Sequence, residues 1–336
     1  MKKVSIIIPV YNMEDWVESG IKCITEQTYE NLEIIIVDDG SKDNSYMKCL
    51  AEADKDRRIA VFSKNNEGPG AARNLALRKA TGDYIYFFDI DDYLEKNAIE
   101  KFVRYMENEN TDLVVCSFSM FDGEKVFRTV KKADGLKRTG GDARKDYYEH
   151  MFMYGERGIQ GAAWFKLYKT DIIRKNGIEF PKLRKNEDDV FVARYVNCID
   201  SFYMTGDVLC RYYVNSYKRF WDKYRFDIFD TSRQSTMYVK DIVLSWNRNN
   251  KDVLQRIYDD YFHKTFGSFC FLFNPNLKLN RKARYARLKE ITDIFMDDIS
   301  CDGIEINHPI FKCMKKKNYR AIYVRIVLHI WKHKFD

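Results

Sequence analysis

Carboxylates gathered at three places in the chain give the first indication of chemistry. Tyr84–Phe88 is an uncharged, strand-forming run that leads straight into Asp89-Ile90-Asp91-Asp92. Carboxylates that crowded repel one another unless a cation lies between them. Mg²⁺ or Mn²⁺ takes one or two carboxylates and fills its remaining positions with phosphate oxygens and water. As purely local structure the same residues read as an acidic helix start. A second pair, Asp38-Asp39, ends the apolar run Leu32–Val37; followed by Gly40-Ser41, it also reads as a turn. The third group is Glu187-Asp188-Asp189. Three adjacent acids raise the proton affinity of one of them, as a general base needs, or they simply open the helix that follows with charge suited to its dipole. Arg73 comes after the turn-forming Asn65-Asn66-Glu67-Gly68-Pro69-Gly70. There a guanidinium can meet a phosphate or a base edge, although one arginine alone reads as a surface ion-pair partner.

These groups need a scaffold that brings them to one edge, and the hydrophobic pattern supplies it. Val4–Val10, Leu32–Val37, Ile59–Phe62 and Tyr84–Phe88 are short apolar runs of strand length. Between them lie periodic stretches at 14–27, 45–53 and 71–80 that read as helices. Strands alternating with helices predict a parallel sheet, whose strand ends share one edge, and that edge is where such sheets hold ligands. The ends in question are Tyr11-Asn12, Asp38-Asp39, the loop 65–70 and Asp89-Ile90-Asp91. Further on, the pattern predicts a helix over about 95–108, a strand at 113–118, hairpin strands within 119–145, a helix at 146–154, a strand at 163–168, helices at 170–176 and 190–196, and strand pairs within 202–213. From about residue 226 it turns helical.

The totals bound the answer. With 336 residues, 45% of them hydrophobic and 32% charged, the chain suits one large domain or two smaller ones; five prolines and no Ser/Gly-rich run argue against a long linker. The formal charge of +7 lies wholly after residue 225, the preceding part being neutral in sum. The eight cysteines form no C-x-x-C pair and keep apolar company, as reduced core residues do. Met1-Lys2-Lys3 leads directly into a strand, so no signal peptide is expected. No window approaches eighteen uncharged apolar residues, so no membrane span is expected either. In Tyr319–His333 a wide apolar surface and a stripe of Arg325, His329, Lys332 and His333 follow Lys315-Lys316-Lys317. Such a segment suits an anionic membrane interface, or a terminal helix docked on its own domain.

Six words of the sequence, in order, resemble the family 2 glycosyltransferases of the GT-A fold. They are Ser5-Ile6-Ile7-Ile8-Pro9-Val10-Tyr11-Asn12, Val37-Asp38-Asp39-Gly40-Ser41, Asn66-Glu67-Gly68 with Ala72-Arg73-Asn74, Asp89-Ile90-Asp91-Asp92, Trp164-Phe165-Lys166-Leu167-Tyr168 and Glu187-Asp188-Asp189-Val190-Phe191. They cover about residues 4–217. The resemblance implies an α/β fold of GT-A type, Rossmann-like with a mostly parallel sheet flanked by helices, in a catalytic domain at 1–225, followed by a mainly helical, basic region at 226–336. It implies a nucleotide-sugar donor, UDP-linked in most members, and a divalent metal, Mn²⁺ or Mg²⁺. Pro9, Tyr11 and Asp39 fall where the family holds the nucleobase, and Arg73 near the base and diphosphate. Asn12, Asp38, Gly68 and Asp92 complete the donor-binding set. Asp89 and Asp91 fall on the metal-binding pair, with Asp91 as first ligand, and Asp188 on the catalytic base, with Glu187 beside it. Trp164 and Lys166 belong to a segment near the sugar and acceptor, and Arg211 and Ser216 to a loop some members use for the diphosphate.

The departures carry information too. No Gln-x-x-Arg-Trp word follows Asp188 and no span is present, features that accompany processive polysaccharide synthases. The expectation is therefore a cytoplasmic, inverting enzyme that adds one sugar to a glycan or lipid-linked glycan, peripheral on the inner membrane face if the last helix binds lipid. Residues 211–217 contain no histidine to serve as a further metal ligand. Two other classes remain in view: another nucleotide-using transferase such as a nucleotidyltransferase, against which stands the absence of any Walker-type or G-x-G-x-x-G loop, and a non-catalytic glycan- or nucleotide-binding subunit, which would have lost acids at 89, 91 or 188. Nucleic acid is not an expected partner.

Overall fold

The structure is a computed structural model that describes residues 1–151, 161–183, 185–214, 228–246, 251–300 and 303–333. The chain divides into two compact units, 1–214 and 215–336. In the first, ten strands form one sheet: β1 (Val4–Val10), β2 (Leu32–Asp38), β3 (Ile59–Ser63), β4 (Tyr84–Phe87), β5 (Tyr93–Leu94), β6 (Leu113–Phe121), β7 (Val126–Val130), β8 (Leu136–Thr139), β9 (Lys166–Lys169) and β10 (Ser201–Tyr213). The order is β3-β2-β1-β4-β9-β6-β10-β5, with β7 on β6 and β8 on β10. The helices are α1 (Val17–Thr25), α2 (Ser45–Ala53), α3 (Pro69–Lys79), α4 (Ala98–Asn108), α5 (Gly141–Met151), α6 (Thr170–Lys175) and α7 (Glu187–Val196).

The first four strands pair in parallel, as the alternating pattern predicts. Ile6, Ile7 and Ile8 of β1 are all fully buried, so both faces of this strand are covered, which is why it reads as a continuous apolar run and not as an alternation. The register sets Val10 opposite Asp38 and Asp38 opposite Ser63, and so lines up the polar strand ends. Two features differ from the pattern-based expectation. The run at 163–168 becomes strand only from Lys166, and β9 runs antiparallel to both β4 and β6, wedged between them. Its end is stapled in place by Tyr195, whose hydroxyl accepts from the Lys169 N–H at 2.8 Å and donates to the Asp112 carbonyl at 2.6 Å. The expected strand pairs at 202–213 form one thirteen-residue strand, β10, parallel to β6 with register shifts between Met204 and Cys210.

The second unit is helical where described: α8 (Ile228–Trp246), α9 (Lys251–Phe271), α10 (Arg281–Ile299), α11 (Pro309–Lys315) and α12 (Tyr319–His333). Phe229, Tyr261, Phe262, Phe295 and Phe311 form its aromatic core. Asp298 ties α10 to two other helices, accepting from Arg233 at 2.6 and 2.7 Å and from the Tyr261 hydroxyl at 2.8 Å. No helix among the described residues is long and apolar enough to cross a membrane.

One close approach decides where the acids after β4 go. α1 buries Val17, Gly20, Ile21 and Ile24, and a Cβ placed on Gly20 would stand 2.3 Å from the Ile90 carbonyl oxygen. That oxygen is backbone, so the overlap can be relieved only by moving α1 or the turn between Asp89 and Asp91. Gly20→Ala is expected to cost about 1–3 kcal/mol, as overpacking does, read as a lower midpoint of urea unfolding with an unchanged slope.

Candidate active site

The site is organised by one buried cation. α3 opens with Gly68 as its cap and Pro69 at its first position, and the helix buries the small residues Gly70, Ala72 and Ala76 around Arg73. The Arg73 side chain is only 6% exposed. Its Nη1 donates to Glu187 Oε1 and to Asp188 Oδ1, each at 2.9 Å, and its Nη2 donates to Asp89 Oδ1 at 2.9 Å. The guanidinium also lies 5.4 Å from the centre of the Phe180 ring, which stacks on Phe191 of α7 at 4.1 Å. α7 begins at Glu187, three residues earlier than its apolar pattern predicts, because carboxylates are favourable in a first turn. The arginine alone was legible as a surface ion pair; in the structure it is the interior link between two acidic words.

One guanidinium facing three carboxylates leaves the cluster short of positive charge. Burial raises the proton affinity of Asp188; Arg73 opposes this, while Glu187 and Asp89 add to it, and the net effect pushes Asp188 up to about 7. Because the groups interact strongly, that titration belongs to the cluster as a whole. The same carboxylates hold Arg73 firmly protonated. The second Asp188 oxygen accepts from the Ala163 N–H at 3.3 Å.

The turn after β4 separates its three aspartates. Asp89 is part-exposed and Asp91 is half-buried. Asp92 is turned inward: its Oδ1 accepts from the Tyr213 N–H at 2.9 Å, and its Oδ2 has no hydrogen-bond partner among the described residues. Burial, then the charges of Asp89 and Asp91, push the Asp92 carboxyl well above its usual range, and its bond to Tyr213 braces the turn against the end of β10. No group of three His, Cys, Asp or Glu among the described residues could hold a metal unaided. Hard carboxylates at this turn fit a divalent cation whose remaining ligands are phosphate and water; Asp89 and Asp91 are the residues that would hold it.

At the other end of the edge, Asp38 and Asp39 divide their work. Asp38 is buried and accepts from the Ser41 N–H at 3.3 Å and the Ser63 hydroxyl at 3.1 Å, which makes it the turn residue that the Asp-Gly signal predicts. Gly40 closes this turn at φ +73°, where a Cβ would stand 2.9 Å from the Asn66 nitrogen. Asp39 takes the Gly68 N–H at 2.7 Å, the Glu67 N–H at 3.1 Å and Lys64 Nζ at 2.9 Å, so it clamps the loop 64–68 with three of its four acceptor positions. Tyr11 is 40% exposed beside it. Asn12, at φ +50°, holds the Lys42 N–H with its side chain while its own N–H donates to Ser41 Oγ. Pro9 lies in β1 opposite Val37.

The remaining expected residues are engaged elsewhere. Trp164 stacks on Tyr212 at 5.3 Å and is nearly buried. Lys166 is fully buried, donates to the Ala162 carbonyl, and is pushed well below the usual range by burial and by Lys132. It therefore supports the 162–164 backbone next to Asp188. Arg211 donates to Glu95 at 2.7 and 3.0 Å and lies over Tyr93. Ser216 lies outside the described residues. Sequence reasoning missed Lys64, Phe180, Trp16 and Tyr213. The last two rings meet at 4.5 Å where α1 approaches the end of β10, and no spacing rule joins positions so far apart.

Comparison with known proteins identifies the family and the fold. Residues 5–175 match the family model of Glycosyl transferase family 2. EpsH of Bacillus subtilis, named a glycosyltransferase, is 34% identical over 194 residues, which are 57% of this chain and 55% of that protein. The poly(ribitol-phosphate) beta-glucosyltransferase of Bacillus spizizenii is 31% identical over 194 residues, 56% of this chain and 28% of that one. The chain thus spans about half or less of these curated relatives. Among solved structures, residues 1–349 of TarS from S. aureus in complex with UDP-GlcNAc superpose with a TM-score of 0.67 at 17% identity, covering 99% of this chain and 92% of that one. The mannosyltransferase PcManGT of Pyrobaculum calidifontis, in complex with GDP-Man and Mn2+, gives 0.52 at 15% identity, covering 98% and 88%. The polar edge of the parallel strands, its acid turn after β4 and its acidic helix start therefore sit on a GT-A fold, and the chain belongs to glycosyl transferase family 2.

Proposed function

We propose that this chain moves a single sugar, with inversion, from a UDP-linked donor to a hydroxyl of a glycan or lipid-linked glycan. One observation carries the reading: Arg73 holds Asp188, a carboxylate poised near neutral pH, and Asp89 of the acid turn on one planar group, each at 2.9 Å. A base for the acceptor and a charge site for the leaving diphosphate thus share one rigid link. The UDP-GlcNAc held by TarS and the Mn2+ held by PcManGT support the donor class and the cation at the level of fold. The name of the Bacillus spizizenii relative supports a polymeric acceptor. The seven described cysteines are all free thiols, which suits a reducing cytoplasm.

The chemistry follows from the residues. Tyr11 offers a face to the base, and the fourth acceptor position of Asp39 can take its N–H. Asp188 accepts the proton of the attacking hydroxyl as the oxygen bonds to the anomeric carbon and the bond to the diphosphate oxygen breaks. Inversion requires only this one base on the side opposite the leaving group. A bound divalent cation supplies charge neutralisation of the diphosphate. Arg73 stabilises the ionised form of Asp188 and keeps it aimed, and the Ala163 N–H fixes its second oxygen. A nucleotidyltransferase would release pyrophosphate where this reaction releases UDP, so product analysis separates the two.

Asp188→Asn keeps the shape and the Arg73 contact but removes the proton acceptor. Transfer is expected to fall by about 10²–10⁴-fold, the usual share of a general base, with UDP affinity by calorimetry unchanged. Near-normal transfer by this variant would place the base elsewhere.

The protonated acid cannot act as base, so kcat/KM should fall about tenfold per pH unit below about 7 and level off above it. A profile flat between pH 5.5 and 8 in stopped assays would contradict the assignment.

Asp91→Asn should abolish the gain in UDP affinity that Mn²⁺ confers, while the melting temperature of the ligand-free protein stays within a degree or two of the parent's. Calorimetry with and without EDTA checks this. Retained metal-dependent binding would reduce the acid turn to a structural feature.

A further inference from the structure

The last helix answers a question that its sequence leaves open, because it is docked and exposed at once. Ile322 and Ile326 of α12 are fully buried against the helical core. On the opposite side Val324, Val327, Leu328 and Trp331 are 55%, 40%, 57% and 66% exposed. Their spacing of i, i+3, i+4 and i+7 from Val324 makes them one stripe along two turns. Single exposed apolar residues are ordinary, but a contiguous stripe ending in a tryptophan marks a surface that is covered in use.

The chemistry around the stripe says what covers it. A cavity of about 500 Å³ between α10 and α12 is lined by Arg281, Lys282, Tyr285, Arg320, Tyr323 and Val324. Its lining thus combines two tyrosine rings and the first residue of the stripe with three exposed cations. Among the described residues none of the three has an ion-pair partner. Lys315, Lys316 and Lys317 precede the helix and are exposed. An unneutralised group of cations would repel a second copy of itself, and an apolar stripe would not suit a purely ionic partner. An anionic phospholipid surface matches both, with headgroup phosphates at the cations and Val324, Leu328 and Trp331 at the level of the upper acyl chains. We infer that this face of the helical unit docks on an anionic membrane, with the cavity between α10 and α12 taking a phospholipid headgroup. The helix lies in the plane of the interface, since it is too short and too charged to span. This inference stands on the second unit alone and is independent of the transfer reaction.

The test uses the full chain and sedimentation with vesicles of phosphatidylcholine alone or mixed with phosphatidylglycerol. Binding is expected only to the anionic vesicles, and it should weaken with salt. Arg281→Gln, Lys282→Gln and Arg320→Gln together should weaken it by about fivefold per charge removed. Leu328→Gln with Trp331→Gln should abolish it. All five positions are solvent-exposed, so melting temperatures should be unchanged, and UDP affinity reports an intact first unit. Three outcomes would overturn the inference: no binding of the parent to anionic vesicles, binding that survives both sets of substitutions, or self-association in sedimentation velocity that the Leu328 and Trp331 changes abolish, which would make the stripe a contact between two copies.

Discussion

A buried guanidinium cannot be left alone, and the catalytic unit is arranged around that constraint. Taking a charge out of water is tolerable only when partners replace the lost hydration, and removing one partner of a buried pair costs about 3–5 kcal/mol. Arg73 meets the requirement with carboxylates from two other places in the chain, Asp89 only 16 residues away and Glu187 and Asp188 more than a hundred residues away. The ion pairs therefore do the work of a tertiary staple. They join α3, the turn after β4 and the first turn of α7, three elements whose hydrophobic faces alone would fix their packing but not the aim of their polar ends.

The reversed strand β9 extends the same logic. Wedged antiparallel between β4 and β6, it delivers residues 161–164 beside Asp188, where the Ala163 N–H meets the carboxylate. Lys166 supports that backbone from beneath through the Ala162 carbonyl, a costly way to bury an amine that makes sense only if the segment above has to be held still. Tyr168 packs edge-on against Phe87, Phe191 and Tyr195, so the strand that carries the acid turn and the helix that carries Asp188 rest on a shared aromatic layer.

Much of this is legible in the sequence because the local signals agree with the fold. β1, β2 and β4 are continuous apolar runs buried on both faces, and each ends in residues that no buried strand would tolerate further in. The polar edge could therefore be read before any coordinates. What could not be read is pairing at a distance. Arg73 reads as a surface residue because nothing local announces two acidic words a hundred positions on. That Asp92 faces inward could not be read either, because only the backbone of Tyr213 shows it. The direction of β9 was hidden because a four-residue strand carries no mark of its orientation. The start of α7 was displaced because its first turn is all charge, where periodicity has nothing to count.

The short strand β5 has a consequence for how the family can vary. Tyr93 and Leu94 leave the acid turn and pair at once with Arg211 and Cys210 of β10, while Asp92 bonds to Tyr213 and Glu95 to Leu209. The segment from Asp89 to Glu95 is thus fixed at both ends, on β4 and on β10, and acts as a ruler. A residue added or lost there would change the distance between the acids and the strand that ends beside them. Length variation is expelled to places with slack, such as the exposed hairpin at Asp122-Gly123-Glu124 between β6 and β7. Among homologous chains, gaps should therefore gather at that hairpin and vanish between Asp89 and Glu95, even where the residues themselves change.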